Sequence, residues 1–173
     1  MLTYTTPVGP LTLAASDVGL TRVTFRTLRR SSASPSPAAL TWLEVARHEL
    51  DAYFAGTLRT FTVLVDLSQV DSANRSVLRA LSAVAYGDTT TYGALAASVG
   101  LIDDGPRQVG VAMARNPVLI VVPCHRVVGA GGKLTGYAGG VAAKRWLLDR
   151  EADDRALRLD LDLRTPTGLG PMG

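Results

Sequence analysis

Apolar and polar residues alternate along the first part of the chain. Leu11, Leu13 and Ala15 interleave with Thr12, Ala14 and Ser16, and Ser16-Asp17-Val18-Gly19 supplies turn chemistry before an apolar stretch over 20–25. This pattern predicts a strand pair across 3–25. Residues 27–37 are rich in Ser, Arg and Pro and have no period, so they read as a loop. Leu40, Leu43, Val45, Ala46, Leu50, Tyr53 and Phe54 then fall at helical spacing, with Gly56 placed as a C′ stop. Phe61, Val63, Val65 and Leu67 alternate with polar neighbours and predict a third strand. Residues 1–70 thus read as a small α/β domain without evident chemistry of its own.

The period changes after Asp71. Ser72 is the expected cap of a helix carrying Val77, Leu78, Leu81, Val84 and Ala85 and ending near Tyr86-Gly87. Thr91 is the expected cap of a short helix over 92–99, stopped by Gly100. Pro106 suits the start of another helix reaching Arg115, which Asn116-Pro117 ends because the residue before proline avoids the helical region. Two short helices joined by a turn of about six residues fit a helix-turn-helix, or more plainly an αα-hairpin. Leu119-Ile120-Val121-Val122 is a continuous apolar run, read as a buried strand that delivers Pro123-Cys124-His125-Arg126. Six glycines fall within 129–140, and a final helix over 141–150 carries Val141, Trp146, Leu147 and Leu148. The expected division is 1–70, 71–155, and a mobile tail over 156–173.

Composition narrows the chemistry. The 173 residues hold 18 Lys+Arg and 15 Asp+Glu, one cysteine and two histidines. A lone cysteine excludes an internal disulfide and suggests a reducing, cytoplasmic compartment. One cysteine and two separated histidines make an all-protein zinc site an unpromising expectation. No apolar run reaches the roughly 18 residues of a membrane span, and Met1-Leu2-Thr3-Tyr4 lacks the features of a signal peptide. The +3 net charge divides into +1 over 1–70, +4 over 71–148 and −2 over 149–173. A basic middle fits a polyanion partner without demanding one.

Cys124 is the candidate nucleophile. A cysteine after an apolar strand is most often a small core hydrophobe. Pro123 before it and His125-Arg126 after it favour a thiolate instead. Neighbours on a strand face opposite ways, so His125 needs a backbone turn or a bridging water to take the thiol proton. Asp149 and Glu151 are candidates to orient the imidazole. No resolving cysteine, P-loop, GxGxxG turn or metal-ligand cluster accompanies the site.

At these residues the chain resembles the O6-alkylguanine-DNA alkyltransferases. Pro123-Cys124-His125-Arg126-Val127-Val128 is similar to that family's active-site signature, and Thr6-Pro7-Val8-Gly9-Pro10-Leu11 to its opening strand. Tyr86-Gly87-Asp88-Thr89-Thr90-Thr91-Tyr92-Gly93 resembles the start of its helix-turn-helix, and Gly136-Tyr137-Ala138-Gly139-Gly140 its substrate loop, with Asn116-Pro117 between them. The resemblance implies an α+β protein: a small ribonuclease-H-like α/β domain, then a mainly helical, winged-helix-like domain with the reactive cysteine. It implies that Cys124 accepts an alkyl group from O6 of guanine in double-stranded DNA, and that His125 acts through water as base with Glu151 orienting it. Asn116 would support the pocket, and Tyr137, Ala138, Val127 and Tyr92 would contact the substrate. Arg107 would fill the gap left by the flipped base, and Tyr92, Thr91, Gly110, Ala114 and Arg115 would meet DNA. As generic residues, Tyr92 and Tyr137 would be half-buried packing and Arg107 a solvated helix residue.

The resemblance implies a monomer acting once, with no cofactor, no metal and no membrane partner. The chain departs from the family at Ala73, Asn74 and Leu78, where Phe-Gln and a Trp are usual, and at Gly105-Pro106 and Gln108 around the finger. Two other readings compete: a lesion-binding protein of the same fold with weak or no transfer, and a cysteine hydrolase. The second has no evident oxyanion device and leaves Arg107 and Tyr92 without a role.

Overall fold

The computed structural model describes residues 1–27 and 34–164, with side chains described up to residue 156. The alternating N-terminal pattern forms three strands. Strands β1 (Leu2–Thr6) and β2 (Gly9–Ala15) meet at a two-residue turn, Pro7-Val8, with Thr6 paired to Gly9. Gly9 takes a positive φ of 110° there, and the Thr6 hydroxyl donates to its carbonyl at 2.6 Å. Strand β3 (Leu20–Thr24) adds antiparallel to β2, giving the order β1-β2-β3.

Helix α1 (Pro37–Ala55) packs on this sheet. Ser36 caps it by accepting from the Ala39 N–H, Pro37 opens it, and Gly56 closes it at φ 80°. Its buried residues Ala39, Leu43, Ala46, Leu50 and Tyr53 recur at steps of four and three, which makes one stripe against the sheet. Leu40, expected on that stripe, is exposed.

The strand expected over 61–67 does not form. Only Val65 bridges, in parallel, to Leu20. The Glu49 carboxylate on α1 instead accepts the N–H groups of Thr62 and Val63, so those backbone donors are satisfied without a ladder.

Helix α2 (Ser72–Ala80) is capped by Asp71, not Ser72. Asp71 accepts from the Asn74 N–H at 3.0 Å, and Ser72 is the first helical residue. The helix ends at Ala80, followed by a 3-10 turn, Leu81–Ala83, rather than running to Tyr86. Strand β4 (Thr90–Thr91) leads into α3 (Tyr92–Ser98), capped by Thr91 as expected and followed by Gly100 at φ 73°. After six residues α4 (Gly105–Ala114) begins. A Cβ at Gly105 would lie 2.9 Å from that of Ala96, so glycine is what lets α3 and α4 touch.

The apolar run over 119–122 is buried except at Val121, which is half-buried, but it is a turn rather than a strand. Val122 N–H donates to Val118 O and Val121 N–H to Leu119 O, and Ile120 sits at φ 72°. A β-branched residue in that region costs on the order of 1–3 kcal/mol and persists only where its surroundings over-determine it. A 3-10 turn, Cys124–Arg126, leads into β5 (Val127–Val128), which pairs parallel with β4. Helix α5 (Gly140–Arg164) is longer than expected, so residues 156–164 of the expected tail are helical. Residues 165–173, and 28–33 of the expected loop, lie outside the described residues.

The two halves share one core. Leu11, Leu13, Leu50 and Tyr53 from the first join Leu78, Leu81, Ile120 and Leu147 from the second. The outer edge of β3 is also joined to the second half: Val23 N–H donates to Pro117 O, and Leu119 N–H to Val23 O.

Candidate functional site

Asn116 fixes the turn beneath Cys124. Its side-chain N–H donates to Val122 O at 2.9 Å, and its side-chain oxygen accepts the Val118 N–H at 3.0 Å. Both ends of one buried amide therefore clamp the tight 118–122 turn, with Ile120 at its centre.

On the 3-10 turn, neighbouring side chains diverge by roughly 120° rather than the 180° of a strand. The expected opposition of Cys124 and His125 is thereby relieved. His125 is 0% exposed, and its Nε2 lies 2.9 Å from Oε1 of Glu151, also 0% exposed. Of the two expected orienting acids, Glu151 takes this place and Asp149 faces solvent.

Glu151 is held from several sides. Arg126 donates Nε to its Oε2 at 2.9 Å and an Nη to its Oε1 at 3.0 Å; Tyr53 donates its hydroxyl to Oε1 at 2.7 Å; Gly87 donates its N–H to Oε2 at 3.1 Å. Burial alone would push this carboxyl up, but the hydrogen bonds from His125 and Arg126, the Arg126 charge and, in acid where His125 is protonated, the imidazolium charge outweigh it and hold it at about 2. An ionised carboxylate only accepts, so His125 Nε2 carries the proton and Nδ1 the lone pair. That Nδ1 is buried without a hydrogen-bond partner among the described residues. Burial, with help from the Arg126 and Lys144 charges, holds the His125 pKa below its usual value despite Glu151. The imidazole is therefore a neutral, oriented base.

The thiolate expected at Cys124 is not the resting form. Burial pushes its thiol up to about 11, with the Asn116 amide and the Lys144 charge only partly opposing it. Arg126 does not face the thiol; it is committed to Glu151 and to the Val84 carbonyl at 2.7 Å.

A cavity of about 410 Å³ opens on Cys124, lined by Arg26, Tyr92, Gly110, Met113, Ala114, Gly136, Tyr137 and Ala138. Of the expected substrate residues, Tyr92, Tyr137 and Ala138 are therefore present. The Tyr92 hydroxyl is held by a 2.7 Å hydrogen bond with the Thr135 hydroxyl. The Tyr137 hydroxyl is buried without a partner among the described residues, and burial together with nearby Cys124 and Glu151 keeps it protonated. Val127 is not brought to the cavity: it is fully buried, and its carbonyl accepts from Lys144.

The residues expected to meet DNA are spread along the helix-turn-helix. Thr91 caps α3, Gly110 and Ala114 form a cavity wall on α4, and Arg115 closes that helix. The Arg107 side chain is 82% exposed on the first turn of α4, 3.6 Å from Asp104.

Sequence reasoning missed Tyr53 and Lys144, and it set Arg126 beside the thiol where the structure sets it on Glu151. Lys144 is 1% exposed, and its ammonium donates to Val127 O at 2.6 Å. A signal for it existed, because Lys144, Leu147 and Glu151 fall on one helical face. None existed for Tyr53, which reads as an ordinary member of the α1 stripe.

Buried thiol, neutral imidazole, ionised carboxylate and a hollow beside them suit nucleophilic displacement on a small, flat substrate. Comparison with known proteins gives the arrangement a family. Residues 2–67 match the model of the 6-O-methylguanine DNA methyltransferase ribonuclease-like domain, and 72–153 that of the DNA binding domain. A methylated-DNA–protein-cysteine methyltransferase of Mycobacterium bovis is 44% identical over 153 residues, covering 86% of this chain and 90% of the relative. One from Methanosarcina acetivorans is 40% identical over 154 residues, covering 86% and 95%. The crystal structure of Mycobacterium tuberculosis OGT in complex with DNA superposes with a TM-score of 0.77 at 42% identity, covering 88% of this chain and 92% of that one. With both family models matched and these relatives aligned along most of its length, the chain belongs to the 6-O-methylguanine DNA methyltransferase family.

Proposed function

We propose that the protein repairs DNA by moving an alkyl group from O6 of guanine to Cys124, once per molecule. The observation that carries this reading is the buried run from Cys124 through His125 to Glu151, opening on a cavity of the size range that holds small ligands. The target atom is inaccessible in a stacked duplex, so the nucleotide is flipped into the cavity at a cost of roughly a few kcal/mol. Arg107 takes the place of the flipped base, and the small residues Gly110 and Ala114 let α4 approach the groove closely. Thr91 and Arg115 meet the backbone, and Tyr92 crowds the phosphate beside the flipped nucleotide.

His125 Nδ1 accepts the thiol proton through one water while Glu151 holds Nε2–H. The S–C bond forms as the C–O6 bond breaks. The departing purine takes the electron pair while the Tyr137 hydroxyl donates a hydrogen bond to the leaving oxygen, and the proton held on His125 passes back through water to the purine. Thiol plus O6-alkylguanine becomes thioether plus guanine. Asn116 acts as a positioning residue through the turn under Cys124.

A thioether is not readily reversed, so the product is final and the protein is a stoichiometric reagent. The lone thiol and the assembly of the whole site within one chain support a monomer working in a reducing, cytoplasmic compartment. Among the described residues no helix is long and apolar enough to cross a membrane. Intact-mass analysis after incubation with an O6-methylguanine duplex tests the proposal. A gain of one CH₂ confined to Cys124, with an end point of one methyl per protein, is expected. Tight binding without that gain would replace transfer with lesion recognition.

A further inference from the structure

A second hollow, also of about 410 Å³, runs between β3 and the C-terminal end of α4. It shares Arg26, Ala114 and Ala138 with the Cys124 cavity, so the two adjoin along a low wall and together make a groove from the thiol side onto the N-terminal domain. Arg22, Arg26 and Arg115 stand along it with Thr21 and Thr24. Arg22 and Thr24 share a face of β3 at period two, Arg26 follows in the bend just beyond that strand, and both arginines are exposed. Among the described residues neither makes an ion pair.

Two acids also line the groove, against its three arginines. Asp66 accepts from the Ser16 hydroxyl and the Ser68 N–H. Asp71 caps α2 and lies 3.5 Å from Arg115. Arginine therefore remains in excess along the groove.

We infer that this groove carries the phosphodiester backbone of the strand whose base occupies the Cys124 cavity, with Arg22 and Arg26 as its phosphate ligands. The N-terminal domain is then part of the DNA interface, a role that helix-turn-helix chemistry does not give it. The inference rests on the alkyl-transfer reading. A base seated against Cys124 brings its own phosphate to the rim, and the strand must leave across rim residues. Ala114 and Ala138 keep that exit low, and Arg26 is the one charged group on the wall shared by the two hollows. Guanidinium groups suit phosphate oxygens because they donate in a planar fork.

The test uses the salt dependence of alkylation. When binding is a rapid pre-equilibrium, the second-order rate of Cys124 alkylation by an O6-methylguanine duplex follows the affinity for that duplex. Each lost phosphate contact lowers the log–log salt slope by about 0.9, so the Arg22→Gln/Arg26→Gln double variant should lose about 1.8. Arg79→Gln, which removes an exposed charge lining a different hollow, should keep the wild-type slope. An unchanged slope in the double variant, or an equal loss in Arg79→Gln, overturns the inference while wild-type alkylation upholds the function. If neither the duplex nor free O6-methylguanine base alkylates wild-type Cys124, the functional reading falls and takes this inference with it.

Discussion

Tyr53 and Glu151 are separated by 98 residues, yet the tyrosine hydroxyl donates to the carboxylate at 2.7 Å inside the protein. It reaches the same oxygen, Oε1, that lies against His125 Nε2. Helix α1 thus supports the base of the proposed relay, although every group of that relay lies in the second half of the chain. In Tyr53→Phe, Oε1 loses a donor and attracts the imidazolium more strongly, so the His125 pKa rises. The acid limb of the single-turnover alkylation rate should move to higher pH, and stability should fall by about 1.5–3 kcal/mol, as for a hydrogen bond to a charged group. A superimposable rate profile would confine Tyr53 to packing.

Stability should decline on acidification in two stages. The folded state holds the His125 pKa below its ordinary value, so the unfolded chain takes up that proton first as pH falls below about 6.5. Glu151 is held at about 2, so its contribution is intact above the ordinary carboxylate range and is lost as pH falls from about 4.5 towards 2. In both windows the unfolded state binds more protons, and stability therefore rises with pH. Thermal unfolding midpoints across pH 2–8 would show this, and Glu151→Gln should flatten the lower window.

Gly105 marks where α3 and α4 touch. Gly105→Ala places a methyl 2.9 Å from the Ala96 Cβ and 3.2 Å from that of Leu101. Neither is the end of a flexible side chain, so the helices must separate, at a cost of about 1–3 kcal/mol. A fall in the denaturation midpoint with retained reaction towards free O6-methylguanine is the expected result.

Arg107 is predicted to matter only when the substrate is a duplex. Its side chain is exposed on α4 and does not line the cavity. Arg107→Ala should slow alkylation by a methylated duplex by about tenfold, a barrier increase of about 1.4 kcal/mol. The rate with the free base should be spared. Equal loss with both substrates would contradict the finger role.

The parts of this molecule that could be read from its sequence are those set by local chemistry. Thr91 marks a helix boundary through its capping side chain, Gly100 and Asn116-Pro117 through their backbone preferences, and the helix-turn-helix follows from them. Glu151 was within reach because it shares a helical face with Leu147. The strand expected over 61–67 shrank to a single bridge at Val65 because the Glu49 side chain takes the Thr62 and Val63 N–H groups, a competition that period two does not reveal. The expected thiolate failed for a related reason. Arg126 is adjacent to Cys124 in sequence, but its charge faces Glu151, so burial decides the state of the thiol. Tyr53 was invisible because only the tertiary fold brings it to the relay.

The depth of Cys124 bears on how long an unused molecule lasts. With burial pushing its pKa up to about 11, the thiol is overwhelmingly protonated at neutral pH. Peroxides and stray electrophiles react with thiolates, so they meet almost none of the reactive form. Only a ligand that fills the hollow and leaves His125 to take the proton draws the sulfur into reaction. Titration of intact thiols after prolonged exposure to dilute peroxide reads this directly, with Cys124 outlasting a solvent-exposed cysteine. A reagent that cannot be regenerated thus keeps its reactivity latent until the lesion itself unlocks it.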